Sequence, residues 1–169
     1  MDNEAHVIKA GSTAHGQFET DVSIERAGWE WSSIRVLALP AGGSETMTSG
    51  VSELLVLPLS GGCAVEVNGE THVLNGREEV WSAITDYLYI PRGTTFTVRS
   101  ESGGRFALPA AKATRDLPVR YCPVTEVVTT LRGAGPCSRQ VNNYALGNDV
   151  ETSHLLACEV LTPGGNWSS

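Results

Sequence analysis

Short hydrophobic stretches bounded by turn residues recur along most of the chain. Residues 54–59 (LLVLPL) are apolar at consecutive positions, which predicts a strand buried on both faces. Residues 95–99 (TFTVR) alternate between apolar and polar, as in a strand buried on one face. Residues 63–74 (CAVEVNGETHVL) place Asn68 and Gly69 between two alternating halves. This pair accepts the positive φ angles of a type I′ turn, so the segment predicts a two-residue hairpin.

Other stretches predict further strands. Residues 125–131 (TEVVTTL) are the best helix candidate, yet their β-branched side chains favour a strand. No segment combines a sustained helical period with capping residues. Strands at such regular spacing predict an all-β sandwich or barrel. The remaining predicted strands are residues 29–39, 87–90, 105–109, 119–121 and 154–161.

Length, composition and charge limit the number of domains, the possible partners and the cell compartment of this protein. A length of 169 residues suits one domain, or one domain and the start of another. The formal net charge of -7 and the scatter of the twelve Lys and Arg residues argue against a nucleic-acid partner. The N-terminus has no signal-peptide pattern and no apolar run is long enough to cross a membrane. We therefore predict a cytoplasmic protein with no membrane partner, whose cysteines are thiols: Cys63, Cys122, Cys137 and Cys158.

Two groups of residues resemble a known family. Residues 50–77 (GVSELLVLPLSGGCAVEVNGETHVLNGR) and 85–98 (TDYLYIPRGTTFTV) resemble a cupin, with a hairpin and a Pro-x-Gly turn between strands. Residues 132–144 (RGAGPCSRQVNNY) and 158–169 (CEVLTPGGNWSS) are similar to the linker and second-domain start of 5-deoxyglucuronate isomerases. The resemblance implies an all-β cupin jelly roll (a double-stranded β-helix) that is the N-terminal half of a bicupin.

The same resemblance implies a division and an activity. Residues 1–131 would form a cupin without a metal site, and residues 132–169 a linker with the first strand of a second cupin. The family converts 5-deoxyglucuronate to 5-dehydro-2-deoxygluconate in myo-inositol catabolism, an aldose–ketose isomerisation. Its divalent metal, commonly zinc, is held by His and Glu of the second cupin. The substrate is therefore expected to be a small-molecule sugar acid, and this chain is expected to hold no metal and to be inactive alone.

Two alternatives stay open beside this interpretation. The chain could be a non-catalytic cupin that binds a sugar or mediates assembly. The parent could be a related uronate isomerase of pectin breakdown. Association into a homo-oligomer is compatible with either, and the sequence identifies no catalytic base.

The cupin resemblance allows the metal site to be examined in this chain. A cupin site needs a His-x-His pair, whose imidazoles share one face of a strand, and a downstream Glu and His. Thr46, Met47 and Thr48 occupy the His-x-His position, and Phe96 stands where the last His would. We therefore predict that apolar side chains fill this barrel. Glu53 is either a relic carboxylate facing the barrel or a solvated charge at the start of a strand, and the second is favoured.

Three polar side chains in the segment before the last predicted strand are candidates for substrate binding. Arg139 suits a carboxylate, and Asn142 and Asn143 suit the hydroxyl groups of a sugar acid. An equal alternative is that Arg139 ties two domains together while the Asn residues cap turns. Glu159 lies inside an apolar segment, where it needs a partner such as Arg139.

The histidines and the thiols indicate no further chemistry. The four histidines do not pair at ligand spacing, and Cys137 has no neighbouring His to act as its base. We expect His72 to be a structural or half-exposed side chain and His154 to be exposed. The four are His6, His15, His72 and His154.

Overall fold

The computed structural model describes residues 7–146 and 150–168. These residues form twelve β-strands, one α-helix of a single turn, α1 (Ile24–Ala27), and two short 3-10 turns, so the all-β prediction is confirmed. The strands are β1 (Phe18–Val22), β2 (Ser32–Leu39), β3 (Gly43–Thr48), β4 (Ser52–Val67), β5 (Glu70–Arg77), β6 (Tyr87–Ile90), β7 (Thr95–Ser100), β8 (Gly104–Lys112), β9 (Arg120–Cys122), β10 (Val128–Arg132), β11 (Arg139–Ala145) and β12 (Ala157–Leu161).

The Asn-Gly hairpin forms as predicted. Val67 pairs with Glu70 across it. Asn68 has φ 53° and Gly69 has φ 81°, the left-handed angles that a type I′ turn requires. The β-branched segment at residues 125–131 was also predicted as a strand. It begins within a short 3-10 turn at Val124–Glu126 and continues into β10.

β4 is sixteen residues long and belongs to both layers of the barrel. Residues 52–60 pair with β8 and β6 in a layer ordered β1-β2-β8-β4-β6-β9. Residues 61–67 pair with β5 and β7, and β7 pairs in turn with β3. Gly61 lies where the strand passes from one layer to the other. It has φ 74°, and a Cβ there would lie 2.4 Å from the carbonyl oxygen of Gly103, so only glycine fits.

The barrel interior is filled by apolar side chains from both layers. Phe96 is 1% exposed and packs in this core together with Met47, as predicted for the positions of the cupin ligands. Each such side chain contributes about 1.5–3 kcal/mol through burial. Other members are Leu37, Leu54, Val56, Val65, Leu74, Leu88, Ile90, Val98, Phe106 and Leu108.

A second apolar core lies on the outer face of the layer that contains β6. There Leu55 and Leu57 of β4 pack against residues of a three-stranded sheet ordered β10-β11-β12. The rings of Tyr87 and Tyr144 meet edge to face at 5.4 Å, and the Tyr87 hydroxyl donates to the carbonyl oxygen of Tyr144. Residues 54–57 are therefore buried on both faces, as their continuous apolar run predicts.

The three-stranded sheet begins on one side of the predicted domain division and ends on the other. β10 pairs with β11 from Val128 opposite Asn143 to Arg132 opposite Arg139. β12 pairs with β11 on its other edge. The division into residues 1–131 and 132–169 stays a prediction. In the structure the segment that follows residue 131 continues the sheet that β10 starts.

Candidate functional site

Glu53 is buried rather than solvated, so the favoured expectation for it was wrong. Its side chain has 0% exposure and lies on the same face of β4 as Leu55, which is the face turned away from the barrel interior. The carboxylate accepts hydrogen bonds from the backbone N–H groups of Ser153 at 2.7 Å, His154 at 2.6 Å and Leu155 at 2.7 Å. The hydroxyl of Tyr89 donates a fourth at 2.6 Å.

These donors explain why a charged group is stable there. Burial alone would raise the pKa of Glu53, but the hydrogen bonds from His154, Ser153, Tyr89 and Leu155 outweigh it and hold the pKa below its ordinary value. Burial and the bond to Glu53 raise the pKa of Tyr89, which stays a proton donor. Glu53 thus joins the barrel to the segment that leads into β12.

The residues at the cupin ligand positions do not fit a metal. Thr46 and Thr48 are exposed on β3, and Thr46 shares a hydrogen bond of 2.8 Å with the hydroxyl of Thr97. Met47 and Phe96 lie in the apolar core, and Glu53 faces the other way. Over residues 7–146 and 150–168, no three His, Cys, Asp or Glu side chains are grouped so that they could hold a metal ion.

The partner of Glu159 is Arg77, at the end of β5, and not Arg139. Arg77 Nη2 lies 2.5 Å from Glu159 Oε1, and Nη1 lies 2.9 Å from Oε2, a two-pronged contact. The Arg77 side chain is 0% exposed and that of Glu159 is 13% exposed. The amide of Asn142 and the hydroxyl of Tyr144 also donate to Glu159 Oε2, at 2.9 Å and 3.4 Å.

Arg139, Asn142 and Asn143 all lie on β11, but their side chains do not form one group. Asn142 and Asn143 are adjacent in a strand and point to opposite faces. Asn142 is 0% exposed and bonded to Glu159, whereas Asn143 is 5% exposed and its Oδ1 has no hydrogen-bond partner among the described residues. The guanidinium of Arg139 donates to the carbonyl oxygen of Cys137 at 3.1 Å. A role in substrate binding stays a prediction for all three.

Arg139 lines a cleft that the sequence did not indicate. The cleft has a volume of about 740 Å³. Residues 80–84 form one wall, and residues 131–133 and 138–140, with Leu161 and Pro163, form the other. The local signal in the sequence was Trp81, an aromatic residue in the loop between β5 and β6.

His72, His154 and the cysteines lie where they were expected. His72 is half-buried, 3.7 Å from Glu70, and His154 is exposed beside Thr114, while His6 lies outside the described residues. All four cysteines are free, as predicted for thiols. Burial raises the pKa of the Cys63 thiol to about 12.

The two-layer barrel of antiparallel strands, with β4 shared between the layers, is a cupin jelly roll. The sequence matches the KduI/IolB family over residues 6–169, so the chain belongs to that family.

Curated relatives and solved structures agree with this assignment. The chain is 30% identical over 159 residues to the 5-deoxy-glucuronate isomerase of Halalkalibacterium halodurans, covering 88% of this chain and 56% of that protein. It is 31% identical over 150 residues to the enzyme of the same name from Geobacillus thermodenitrificans, covering 88% and 54%. The chain thus spans about half the length of the curated relatives it matches.

The crystal structure of an IolB-like protein from Salmonella typhimurium superposes with a TM-score of 0.83 at 27% identity, covering 91% of this chain and 59% of that chain. The protein Ylba from E. coli shares the fold alone, with a TM-score of 0.54 at 15% identity, covering 86% and 69%. Over the described ranges, no helix is long and apolar enough to span a membrane.

Proposed function

We propose that this chain is the N-terminal half of an aldose–ketose isomerase that converts 5-deoxyglucuronate to 5-dehydro-2-deoxygluconate in myo-inositol catabolism. The observation that carries the proposal is the match to the KduI/IolB family from residue 6 to residue 169. The relatives described above support it, since they bear the name 5-deoxy-glucuronate isomerase and align over most of this chain.

The reaction moves a proton between adjacent carbons through an enediol, and needs a base and a means of polarising oxygen. In this proposal a divalent metal, zinc by expectation, polarises the sugar oxygens. Since Met47, Phe96 and the outward-facing Glu53 do not fit a metal, we assign the metal and the base to the part of the relatives that this chain does not cover.

This chain would then serve to position that second half. The outer face of the three-stranded sheet offers a surface for it. Val128 on β10 and Val160 on β12 are each 43% exposed, and Leu156, just before β12, is 71% exposed. Asn143 Oδ1 is a buried acceptor that has no donor within the described part of the chain. Exposed apolar groups next to an unsatisfied acceptor are typical of a contact surface.

The test compares two proteins in a turnover assay with 5-deoxyglucuronate. One is the 169-residue chain, and the other continues past Ser169 with the part of the Halalkalibacterium halodurans relative that the chain does not cover. We expect turnover and bound metal, measured by plasma mass spectrometry, in the longer protein alone. Turnover by the short chain would contradict the proposal, as would a folded but inactive longer protein.

A related uronate isomerase of pectin breakdown is the alternative activity that the sequence resemblance leaves open. The same longer protein distinguishes them when it is assayed with the pectin-derived uronate in parallel. A non-catalytic role in sugar binding or assembly is the other alternative. The filled barrel favours it for this half of the protein, because the core around Phe96 leaves no ligands at the cupin site.

A further inference from the structure

The cleft beside Trp81 lies between one face of the three-stranded sheet and a loop. Leu131, Gln140 and Leu161 stand opposite one another in the register of β10, β11 and β12, so their side chains form one row on that face. The loop at residues 80–84 faces this row across a volume of about 740 Å³. The cleft is therefore separate from the barrel interior, where the cupin resemblance places the ligand positions.

The cleft carries little charge. Arg132 and Arg139 border it, but they neighbour Leu131 and Gln140 in their strands, so their side chains lie on the other face of the sheet. The bond from Arg132 Nε to the hydroxyl of Thr130 lies on that other face too. Among the described residues, the lining includes no Asp, Glu, Lys or His. Such a lining favours an apolar occupant over an ion.

Two large apolar side chains of the cleft are left exposed. Leu131 is 82% exposed and Trp81 is 56% exposed. Ile84, in the same lining, is half-buried and packs against the second apolar core. The cleft is thus a place where that core opens to the surface. Exposed apolar groups collected around a cleft mark an interaction site.

A buried ion pair fixes both walls of the cleft. Arg77 Nη1 donates to the carbonyl oxygen of Ala83, in the loop wall, at 3.0 Å and to Glu159 Oε2 at 2.9 Å. Glu159 lies on β12 two residues before Leu161, so both side chains lie on the same face of the sheet. The shape of the cleft is therefore set within this chain, which lowers the cost of ordering it around an occupant.

The last described residues of the chain run along the rim of the cleft. Asn166 Nδ2 donates to the carbonyl oxygen of Ser138, a residue of the lining, at 2.9 Å. The backbone N–H of Trp167 donates to the carbonyl oxygen of Pro136 at 2.8 Å. A polypeptide that continues past Ser169 therefore starts beside the cleft. The alignment with the Halalkalibacterium halodurans relative covers 56% of that protein and leaves enough further chain to fill it.

We propose that the cleft receives apolar side chains of the polypeptide that follows Ser169, packed between Trp81 and Leu131. The choice of this occupant rests on the proposed function, whereas the preference for an apolar occupant rests on the exposed and uncharged lining. The outer face of the three-stranded sheet, described above, is the opposite face. The second half of the protein then holds this sheet from both faces, and the cleft is its docking seat.

The test measures how accessible position 131 is in the 169-residue chain and in the longer protein described above. Both carry L131C in a C137S/C158S background, which removes the two exposed native thiols. Alkylation by iodoacetamide is followed by peptide mass spectrometry, and circular dichroism shows that each protein is folded. We expect labelling at position 131 to be about tenfold slower, or more, in the longer protein, because the reagent must reach the thiolate.

The matched control is V73C in the same background. Val73 is 61% exposed on β5 and lies outside the cleft, so its labelling rate should be equal in both proteins. Hydrogen exchange gives a second measurement that needs no substitution. The backbone amides of residues 80–84 should exchange more slowly in the longer protein, since the occupant restricts the opening of that loop.

Equal labelling at position 131 in the two proteins would overturn the inference, as would equal slowing at position 73. Protection of the short chain that grows with its concentration would place a second copy in the cleft and also overturn it. Equal labelling in a longer protein that turns over 5-deoxyglucuronate would overturn the inference and leave the proposed function intact. Protection at position 131 without turnover would support the inference and count against the proposed function.

Discussion

Replacing Glu53 with Gln should destabilise the fold far more than its place at the start of a strand would suggest. In E53Q one carboxylate oxygen becomes an NH₂ group, which cannot accept from the backbone N–H of Ser153, His154 or Leu155. One or two buried donors are then left unsatisfied, at about 1–3 kcal/mol each. We expect the free energy of unfolding to fall by roughly 2–4 kcal/mol, and the melting temperature by about 5–15 °C.

The effect should depend on pH in a defined direction. The pKa of Glu53 is lowered in the folded state, so its contribution to stability is present above its ordinary pKa of about 4.3 and is lost as the pH falls through the folded value. The difference in stability between the native protein and E53Q should therefore shrink from neutral pH towards about pH 3. Urea titrations monitored by circular dichroism at several pH values measure it.

The control for Glu53 is E66Q, since Glu66 is exposed on the same strand. It should change the stability by less than about 0.5 kcal/mol. Hydrogen exchange adds a local measurement, because the amides of Ser153, His154 and Leu155 should lose protection in E53Q before the barrel amides do. Equal stability of E53Q and E66Q, or a gap between native protein and E53Q that widens at low pH, would refute the reasoning.

Three further predictions concern other buried groups. R77M should lower the free energy of unfolding by about 3–5 kcal/mol, because it leaves the largely buried carboxylate of Glu159 without its ion-pair partner. R105Q, which breaks an exposed ion pair, should cost at most about 1 kcal/mol in the same urea titration. F96A should cost about 3–5 kcal/mol by creating a cavity in the barrel core, and a loss below about 1 kcal/mol would contradict the packing. An Ellman assay should label the exposed Cys137 quickly and the buried Cys63, with its raised pKa, only on unfolding; equal rates would count against the structure.

The parts of the fold that the sequence predicted depend on local chemistry. The hairpin at Asn68 and Gly69 follows from backbone angles that few residue pairs accept. The doubly buried segment at residues 54–57 follows from its continuous apolar run, although its second covering layer lies far along the chain. In both cases the local residues exclude most other local structures.

The parts that the sequence did not predict depend on distant partners. A glutamate at the start of a strand is usually solvated, and the donors that bury Glu53 lie 100–102 residues further along the chain. Arg77 and Glu159 are separated by 82 residues. The predicted strand at 154–161 begins later, at Ala157, because the amides of His154 and Leu155 bond to Glu53 instead of to a neighbouring strand. The cleft combines a loop with strand ends, so no single segment carries its pattern.

These long-range contacts join the barrel to the three-stranded sheet. Glu53 sits near the sequence position of a cupin ligand, yet its carboxylate holds the chain that leads into β12. Arg77 holds β12 itself, and Tyr87 holds β11 through the carbonyl oxygen of Tyr144. Three separate polar links thus fasten the three-stranded sheet to the outside of the barrel. Any partner that packs on the free face of that sheet is placed in a defined orientation to the barrel and to the cleft beside Trp81, which is what a domain specialised for positioning requires.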